Sequence, residues 1–150
     1  MDVGADPVAL LAEGSSILDP VLRPAGFTFL AGQTGVGSGG RFASGRWTKG
    51  PRSIELHFRH SLGLVRYHLG ARSISHDDFM WSVTRGRGGN QYPGFSDDPL
   101  QGFRDLAQDL MRYGQEFLVG PDGDLDRRID DATAHPKPSG LKAVTDGGAP

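Results

Sequence analysis

Residues 53–70 read SIELHFRHSLGLVRYHLG, and the fold of the chain is decided here. Apolar side chains stand at alternate positions in both halves of this stretch: Ile54, Leu56, Phe58, Val65, Tyr67 and Leu69. Such alternation is typical of antiparallel strands with one buried face. The stretch therefore predicts a β-hairpin whose other face carries His57, Arg59, Arg66 and His68.

The register of this hairpin follows from its two faces and from the length of its turn. A four-residue turn over residues 61–64 sets His57 opposite His68 and Arg59 opposite Arg66. A shift of one residue would move every apolar side chain to the wrong face. Like charges directly opposite each other destabilise a sheet, so we expect this basic patch to need a compensating anion.

The predicted patch is the first candidate site, and Arg46 of the preceding strand joins it. Arginine presents a planar fork of donors that suits carboxylates and phosphates. The patch could bind a protein partner, an anionic small ligand or nucleic acid. Alternatively, it is an ordinary solvated face, or one covered by Asp105, Asp109 or the aspartate-rich C-terminal segment.

Two features of the sequence resemble metal or phosphate sites without completing them. His57 and His68 could share a metal ion, with Glu55 on the same face, but no third ligand is clearly placed for a catalytic zinc. Residues 32–40, GQTGVGSGG, resemble a phosphate-binding loop, yet they lack its Lys-Ser/Thr pair and precede a strand pattern. We expect a flexible loop between strands here, and neither a metal nor a cofactor.

The second candidate surface is the irregular segment of residues 85–98, RGRGGNQYPGFSDD. Long irregular loops in compact domains are often functional. Arg85 and Arg87, with Tyr92 and Phe95 close by, could contact a partner or stack on bases. Alternatively, the two aromatic side chains fix the loop to the core.

The flanking patterns complete the fold. Asp6 and Pro7 begin a leading helix, which Pro20 is expected to kink or restart. Two further strand patterns precede the hairpin, and Ser75 caps the first of two closing helices. We predict an α+β fold, a four-stranded antiparallel β-meander with helices packed on one face.

The composition predicts the limits of the folded domain and its cellular location. The chain has 150 residues, a net charge of -2 and no cysteine, which excludes disulfides, thiolate metal sites and cysteine nucleophiles. No apolar run approaches the ~20 residues that span a bilayer, and the N-terminus lacks a basic leader. We expect a cytoplasmic domain over residues 1–120 and a disordered tail, poor in large apolar residues, over 121–150.

Segments along the chain, LDPVLRPAGF, the hairpin, ISHDDFMWSV and YPGFSDDPLQGFRDLAQDL, resemble those of small uncharacterised bacterial proteins. Those proteins combine a leading helix, a β-meander and closing helices, and some look like immunity proteins encoded beside secreted toxins. The resemblance covers residues 16–118. It implies a non-enzymatic role in protein binding and assigns no functional residues. No nucleophile, general base and orienting residue assemble from the sequence, which also favours a binding module over an enzyme.

Overall fold

The computed structural model describes residues 6–37 and 40–138, which form an α+β fold. The elements in chain order are α1 (Pro7–Leu22), β1 (Thr28–Gly37), β2 (Gly40–Lys49), β3 (Arg52–Phe58), β4 (Leu62–Leu69), β5 (Arg72–Ser75), α2 (His76–Val83), α3 (Gln101–Tyr113), α4 (Gln115–Leu118) and α5 (Asp122–Ala134). The strands form one antiparallel sheet in the order β1-β2-β3-β4-β5. The predicted α+β class and antiparallel sheet are confirmed, but the sheet has five strands where four were predicted.

The additional strand, β5, lies directly before α2. Its first residue, Arg72, pairs with Leu69 across a two-residue turn that begins at Gly70, whose φ is 60°. Glycine adopts this left-handed conformation without the steric cost that other residues meet. A strand of four residues is too short to show alternation, which is why the sequence pattern did not reveal it.

The leading helix begins as predicted, but it is not interrupted at Pro20. The Asp6 carboxylate accepts the N–H of Val8 at 3.0 Å, and Pro7 occupies the first turn, where its missing N–H costs nothing. Pro20 lies inside the helix, which continues without a restart at Asp19. The buried face runs on past Pro20 to the end of the helix, and this packing offsets the backbone hydrogen bond that the proline removes.

The register between β3 and β4 differs from the predicted one by four residues. Glu55 pairs with Arg66, and Ser53 pairs with His68. The strand β4 starts at Leu62, so the turn is earlier and tighter than the four-residue turn assumed for residues 61–64. A shift by an even number of residues keeps every side chain on its predicted face while changing all of its partners.

Residues 32–37 of the glycine-rich segment belong to a strand and not to the flexible loop that was predicted there; residues 38 and 39 lie outside the described part. β1 continues to Gly37, with an irregular register between Ala31 and Thr34. A side chain at Gly32 would place its Cβ 2.8 Å from the Oγ of Ser44, so glycine permits a close approach of the two strands. The glycines therefore accommodate pairing here.

The segment predicted to be a disordered tail contains α5. Its inner face is built from residues at helical spacing, Leu125, Ile129 and Ala132, all of them buried. Arg72 forms ion pairs with Asp126 and, at 2.5 Å, with Asp130, which fasten α5 to β5. The prediction of disorder over 121–150 is therefore wrong for α5, because a narrow apolar stripe and two ion pairs stabilise this helix against the domain. Residues 139–150 lie outside the described part.

A buried arginine links the sheet to the C-terminal helices. Arg52 on β3 is 4% exposed, and its guanidinium donates to the carbonyl oxygens of Glu116 and Phe117 at 3.1 and 2.7 Å. It also donates to the carbonyl oxygen of Gly120 and, at 2.8 Å, to the carboxylate of Asp122. One side chain thus satisfies the carbonyls that end α4 and pairs with the first residue of α5.

The core contains the apolar side chains of the sheet and the helices. Its largest fully buried side chains are Phe27, Trp47, Phe58, Tyr67, Phe79, Phe103 and Phe117. α1 contacts β2 and α3, whereas α2 and α5 contact each other and β5. The alternate positions of the strands, which do not enter this core, carry the polar side chains of the candidate site.

Candidate functional site

Five polar side chains of the sheet form one group around Glu55, which we call the Glu55 cluster: Arg46, Glu55, His57, Arg66 and His68. The Nε2 of His68 lies 2.7 Å from one carboxylate oxygen of Glu55, and the Nε2 of His57 lies 3.0 Å from the other. The prediction that the two histidines face each other is therefore wrong. They share a carboxylate that lies between them.

Strand pairing places the arginines of the cluster on either side of Glu55. Arg46 of β2 and Arg66 of β4 are its direct cross-strand partners. The Arg46 guanidinium lies 3.7 Å from the Glu55 carboxylate and donates to the Oγ of Ser53 at 3.2 Å. Arg66 donates to the Oγ of Ser73 at 3.0 Å. The serines hold both guanidinium groups along the sheet surface.

The electrostatics of the cluster centre on Glu55. Partial burial raises the pKa of Glu55, but hydrogen bonds from His68 and His57, with the charges of His68 and Arg46, lower it by more. The net result is a pKa below the ordinary carboxyl value of 4.5. Glu55 is therefore ionised at neutral pH and keeps its neighbours in place.

The predicted basic patch therefore differs from the observed cluster in two respects: Arg59 is not a member, and the cluster contains a carboxylate. Arg59 follows the end of β3, and its guanidinium lies 6.0 Å from the ring centroid of Phe42, away from Arg66. The compensating anion is Glu55, not the Asp105 or Asp109 that were considered. Two arginines against one carboxylate leave a single positive charge, before any protonation of the histidines.

An open groove adjoins the Glu55 cluster. It has a volume of about 460 Å³ and lies between the cluster and β1. Arg46, Glu55 and His57 line one side, and Leu30, Gly32 and Gln33 line the other. Leu30 is 59% exposed, so an apolar side chain stands beside the charged cluster. A ligand in this groove could meet charged and apolar groups together.

The loop of residues 85–98 is separate from the cluster. Tyr92 is buried, and its hydroxyl donates to the carbonyl oxygen of Leu62 at 2.7 Å. Burial, with the charge of Asp77, raises the pKa of Tyr92 to about 12. Phe95 is fully exposed. Within the described residues, no hydrogen bond or ion pair joins this loop to the Glu55 cluster, so the two predicted halves of the site are not brought together.

A second acid–histidine arrangement was not predicted. The Asp109 carboxylate, fully buried, lies 3.0 Å from the Nε2 of His76 and accepts the N–H groups of Gln91 and Tyr92 at 2.6 and 2.8 Å. The Nδ1 of His76 lies 2.7 Å from the hydroxyl of Tyr67. Burial, with the charge of Asp109, raises the pKa of Tyr67 well above 10.0.

This buried network has the hydroxyl–imidazole–carboxylate order of a nucleophilic triad, but a substrate has no access to it. All three side chains, Tyr67, His76 and Asp109, are at most 2% exposed. The network instead ties the 85–98 loop to α2, α3 and β4. His76 and Asp109 are separated by 33 positions, so no local pattern in the sequence could have revealed the pair.

In the part of the chain that the structure describes, no group of three or more His, Asp or Glu side chains could hold a metal ion. None of the helices described is long and apolar enough to cross a bilayer. Comparisons with protein-family models, curated proteins and solved structures found no match.

Proposed function

We propose that the chain is a cytoplasmic, non-enzymatic binding module that engages another protein through the Glu55 cluster, in the manner of an immunity protein. In this proposal the helices cover one face of the sheet and leave the cluster open to a partner. The observation that supports it most directly is the shared carboxylate, with a histidine nitrogen at 2.7 and at 3.0 Å. Groups held in place before binding lose little conformational entropy when a partner arrives.

The charge of the cluster indicates the chemistry of the partner. The Glu55 carboxylate is already engaged by His57, His68 and Arg46. The structure shows Arg66 bound to a serine hydroxyl, which a carboxylate could replace. With Leu30 exposed beside the groove, the surface fits a protein that presents an acidic side chain next to an apolar one.

The alternative function, binding of an anionic small ligand or nucleic acid by the same cluster, is less well supported. Nucleic-acid surfaces are lined with phosphates, and proteins bind them through an excess of Lys and Arg. A carboxylate at the centre of the cluster repels phosphate. A compact protein contact can place its acidic group over Arg66 and avoid Glu55.

The test is a differential capture from nuclease-treated lysate of the native host. Three forms of the full chain serve as bait: wild type, the face variant Arg46→Gln with Arg66→Gln, and a control, Arg23→Gln with Arg104→Gln. The control removes two exposed arginines of surface ion pairs outside the cluster. We expect wild type and control to retain one protein in a 1:1 complex, and the face variant to bind it at least 10-fold more weakly when both are purified.

Two results would overturn the proposal. One is equal affinity of the face variant and the control for the captured protein, since the cluster would then play no part in binding. The other is recovery of nucleic acid in place of protein when nuclease is omitted, with binding that falls steeply as salt rises. Circular dichroism of the three forms establishes that each is folded.

A further inference from the structure

We propose a second binding site, for a small molecule that carries one anionic group on a planar ring, in a cavity between the end of α2 and α5. The cavity has a volume of about 520 Å³. The lining residues that matter are Trp81, Arg85, Arg128, Asp131 and His135. This volume lies within the range of sites that hold small molecules, and the site is distinct from the Glu55 cluster.

The conformation of Arg85 is the observation that points to a ligand. The N–H of Gly86 donates to the carbonyl of Trp81 at 2.8 Å, and the N–H of Arg85 donates to that of Ser82 at 3.2 Å, so α2 ends in a Schellman turn. The turn requires a left-handed residue at Arg85, whose φ is 54°. Glycine usually occupies this position because any side chain is strained there.

Arg85 is the one non-glycine residue with positive φ in the described part of the chain, and glycine would form the same two hydrogen bonds of the turn without the steric strain. Its side chain is exposed and forms no hydrogen bond or ion pair within the described residues. Strained residues of this kind cluster at functional sites, where the side chain is needed in spite of the backbone cost. We infer that Arg85 stands in place of glycine because its guanidinium binds a ligand.

The second arginine of the cavity is already positioned. Arg128 forms an ion pair with Glu116 at 2.7 Å and donates to the Oγ of Ser82 at 2.9 Å. Ser82 in turn donates to the carboxylate of Asp131. Glu116 and Asp131, at 2.7 and 3.9 Å, both face Arg128, so the acidic groups of the wall are engaged there. Arg85 is the cation of the wall that has no acidic partner within the described residues, and an anionic group would bind at its guanidinium.

The rest of the wall indicates the remainder of the ligand. Trp81 offers an aromatic surface, and the backbone turns tightly against it, since a Cβ on Gly86 would lie 3.1 Å from the indole ring. Arginine and tryptophan together bind planar anions by pairing with the charge and stacking on the ring. Asp131 and His135 supply polar groups for ring substituents. Aromatic carboxylates and nucleoside monophosphates share this chemistry.

The test measures ligand affinity and stability on the same variant. Benzoate and adenosine monophosphate are titrated into the ¹⁵N-labelled full chain while the indole N–H of Trp81 is followed by NMR. We expect Arg85→Gly to bind the better probe at least 10-fold more weakly and yet to melt at a temperature equal to or above that of wild type. Loss of binding with a gain in stability is not what a merely structural arginine would give.

The matched control is Arg87→Gly, which removes an exposed arginine two positions further along the same loop. Arg87 is not in the left-handed region, so this change should neither raise the melting temperature nor weaken binding. Inorganic phosphate and adenosine separate the anionic group from the ring, and each should bind more weakly than the monophosphate. If neither probe moves the Trp81 signal at 10 mM, or if Arg85→Gly binds like wild type, the proposal is wrong. A lower melting temperature for Arg85→Gly would likewise contradict it.

Discussion

Glu55 and Asp109 each have a histidine ring nitrogen within 3.0 Å, but they lie in opposite surroundings. The Glu55 side chain is 23% exposed and shares its two oxygens between His57 and His68. Asp109 is fully buried and binds one histidine together with two backbone N–H groups. The same pair of side-chain types therefore occurs once at the surface and once in the core.

The comparison shows that burial, more than residue type, decides what an acid–histidine pair does. Water or a partner can replace the contacts of Glu55, so its interactions contribute little to stability and remain available for binding. Asp109 has no such replacement, and any group left without it stays buried and unsatisfied. The surface pair is a candidate recognition site, and the buried pair is a structural fastening for the 85–98 loop.

The largest expected effect is that of Asp109→Ala. The change leaves His76 and the N–H groups of Gln91 and Tyr92 without their acceptor, and we expect a loss of about 3–5 kcal/mol of unfolding free energy. Urea denaturation measures it. Asp105→Ala on the same helix is the control: among the described residues its carboxylate accepts from Gln101 alone, and the change should cost below about 1 kcal/mol. Equal effects of the two changes would remove the distinction that we draw between buried and exposed carboxylates.

The buried tyrosines predict a loss of stability in alkali. The pKa values of Tyr67 and Tyr92 are raised in the folded state, so their contribution is complete below pH 10, where both states are protonated. Above pH 10 the unfolded chain loses these protons first, and stability falls as the pH rises. For Tyr92, whose pKa is about 12, the fall amounts to about 2–3 kcal/mol by pH 12.

Denaturation between pH 8 and 12 measures this slope. Tyr92→Phe should flatten it, whereas Tyr113→Phe, at a half-buried position outside the network, should leave it in place. A slope that does not respond to Tyr92→Phe would show that ionisation of this tyrosine is not linked to folding.

Glu55→Gln should lower the free energy of unfolding by a small amount, and only at pH values above the lowered pKa of Glu55. Its pKa is lowered in the folded state, so its contribution is present above the ordinary value of 4.5 and disappears as the pH falls through the lowered value. At pH 7 we expect a loss below about 1 kcal/mol. Once the pH is below that lowered value, the variant and wild type should be equally stable. A loss as large as that of Asp109→Ala would place Glu55 among the structural carboxylates.

The smallest expected effect is the influence of salt on the coupling energies within the Glu55 cluster and within the buried Asp109 network. A double-mutant cycle between Glu55→Gln and Arg46→Gln should give a coupling of a few tenths of a kcal/mol that vanishes in 1 M NaCl. The cycle between Asp109→Ala and His76→Ala should keep its coupling, because the counterions do not reach the buried pair. If both couplings fall alike, then both pairs are accessible to solvent.

The sequence could predict which face each strand residue occupies but not its partner. Alternation in residues 53–70 assigns Glu55, His57, Arg66 and His68 to one face, and the structure places them together there. Alternation, however, permits any register that differs by an even number of residues. The turn selects among these registers: residues 59–61 form it, where residues 61–64 were assumed, and the pairing changes by four residues as a result. The predicted pairs, His57 with His68 and Arg59 with Arg66, depended on that register and are absent from the structure.

The helices show a similar division between local and distant information. The Asp6 cap and the Ser75 cap, whose Oγ accepts the N–H of Asp78 at 3.1 Å, are local and were predicted. The pair of His76 and Asp109 depends on how α2 and α3 meet, which no local pattern encodes. α5 was missed for a related reason, since its ion pairs to Arg72 are formed with a residue more than 50 positions earlier.

The contacts of Arg52 have a consequence for the order of events during synthesis. Every strand pairs with its neighbour in the chain, so the sheet can close as its last strand leaves the ribosome. The carbonyl and carboxylate partners of Arg52 come 64 to 70 residues after it. At about 5–20 residues per second, roughly 3–14 s pass before they are made. During that interval the guanidinium must stay hydrated at an unfinished edge of the core, and arrival of the C-terminal helices completes the core by sealing this cation away from water.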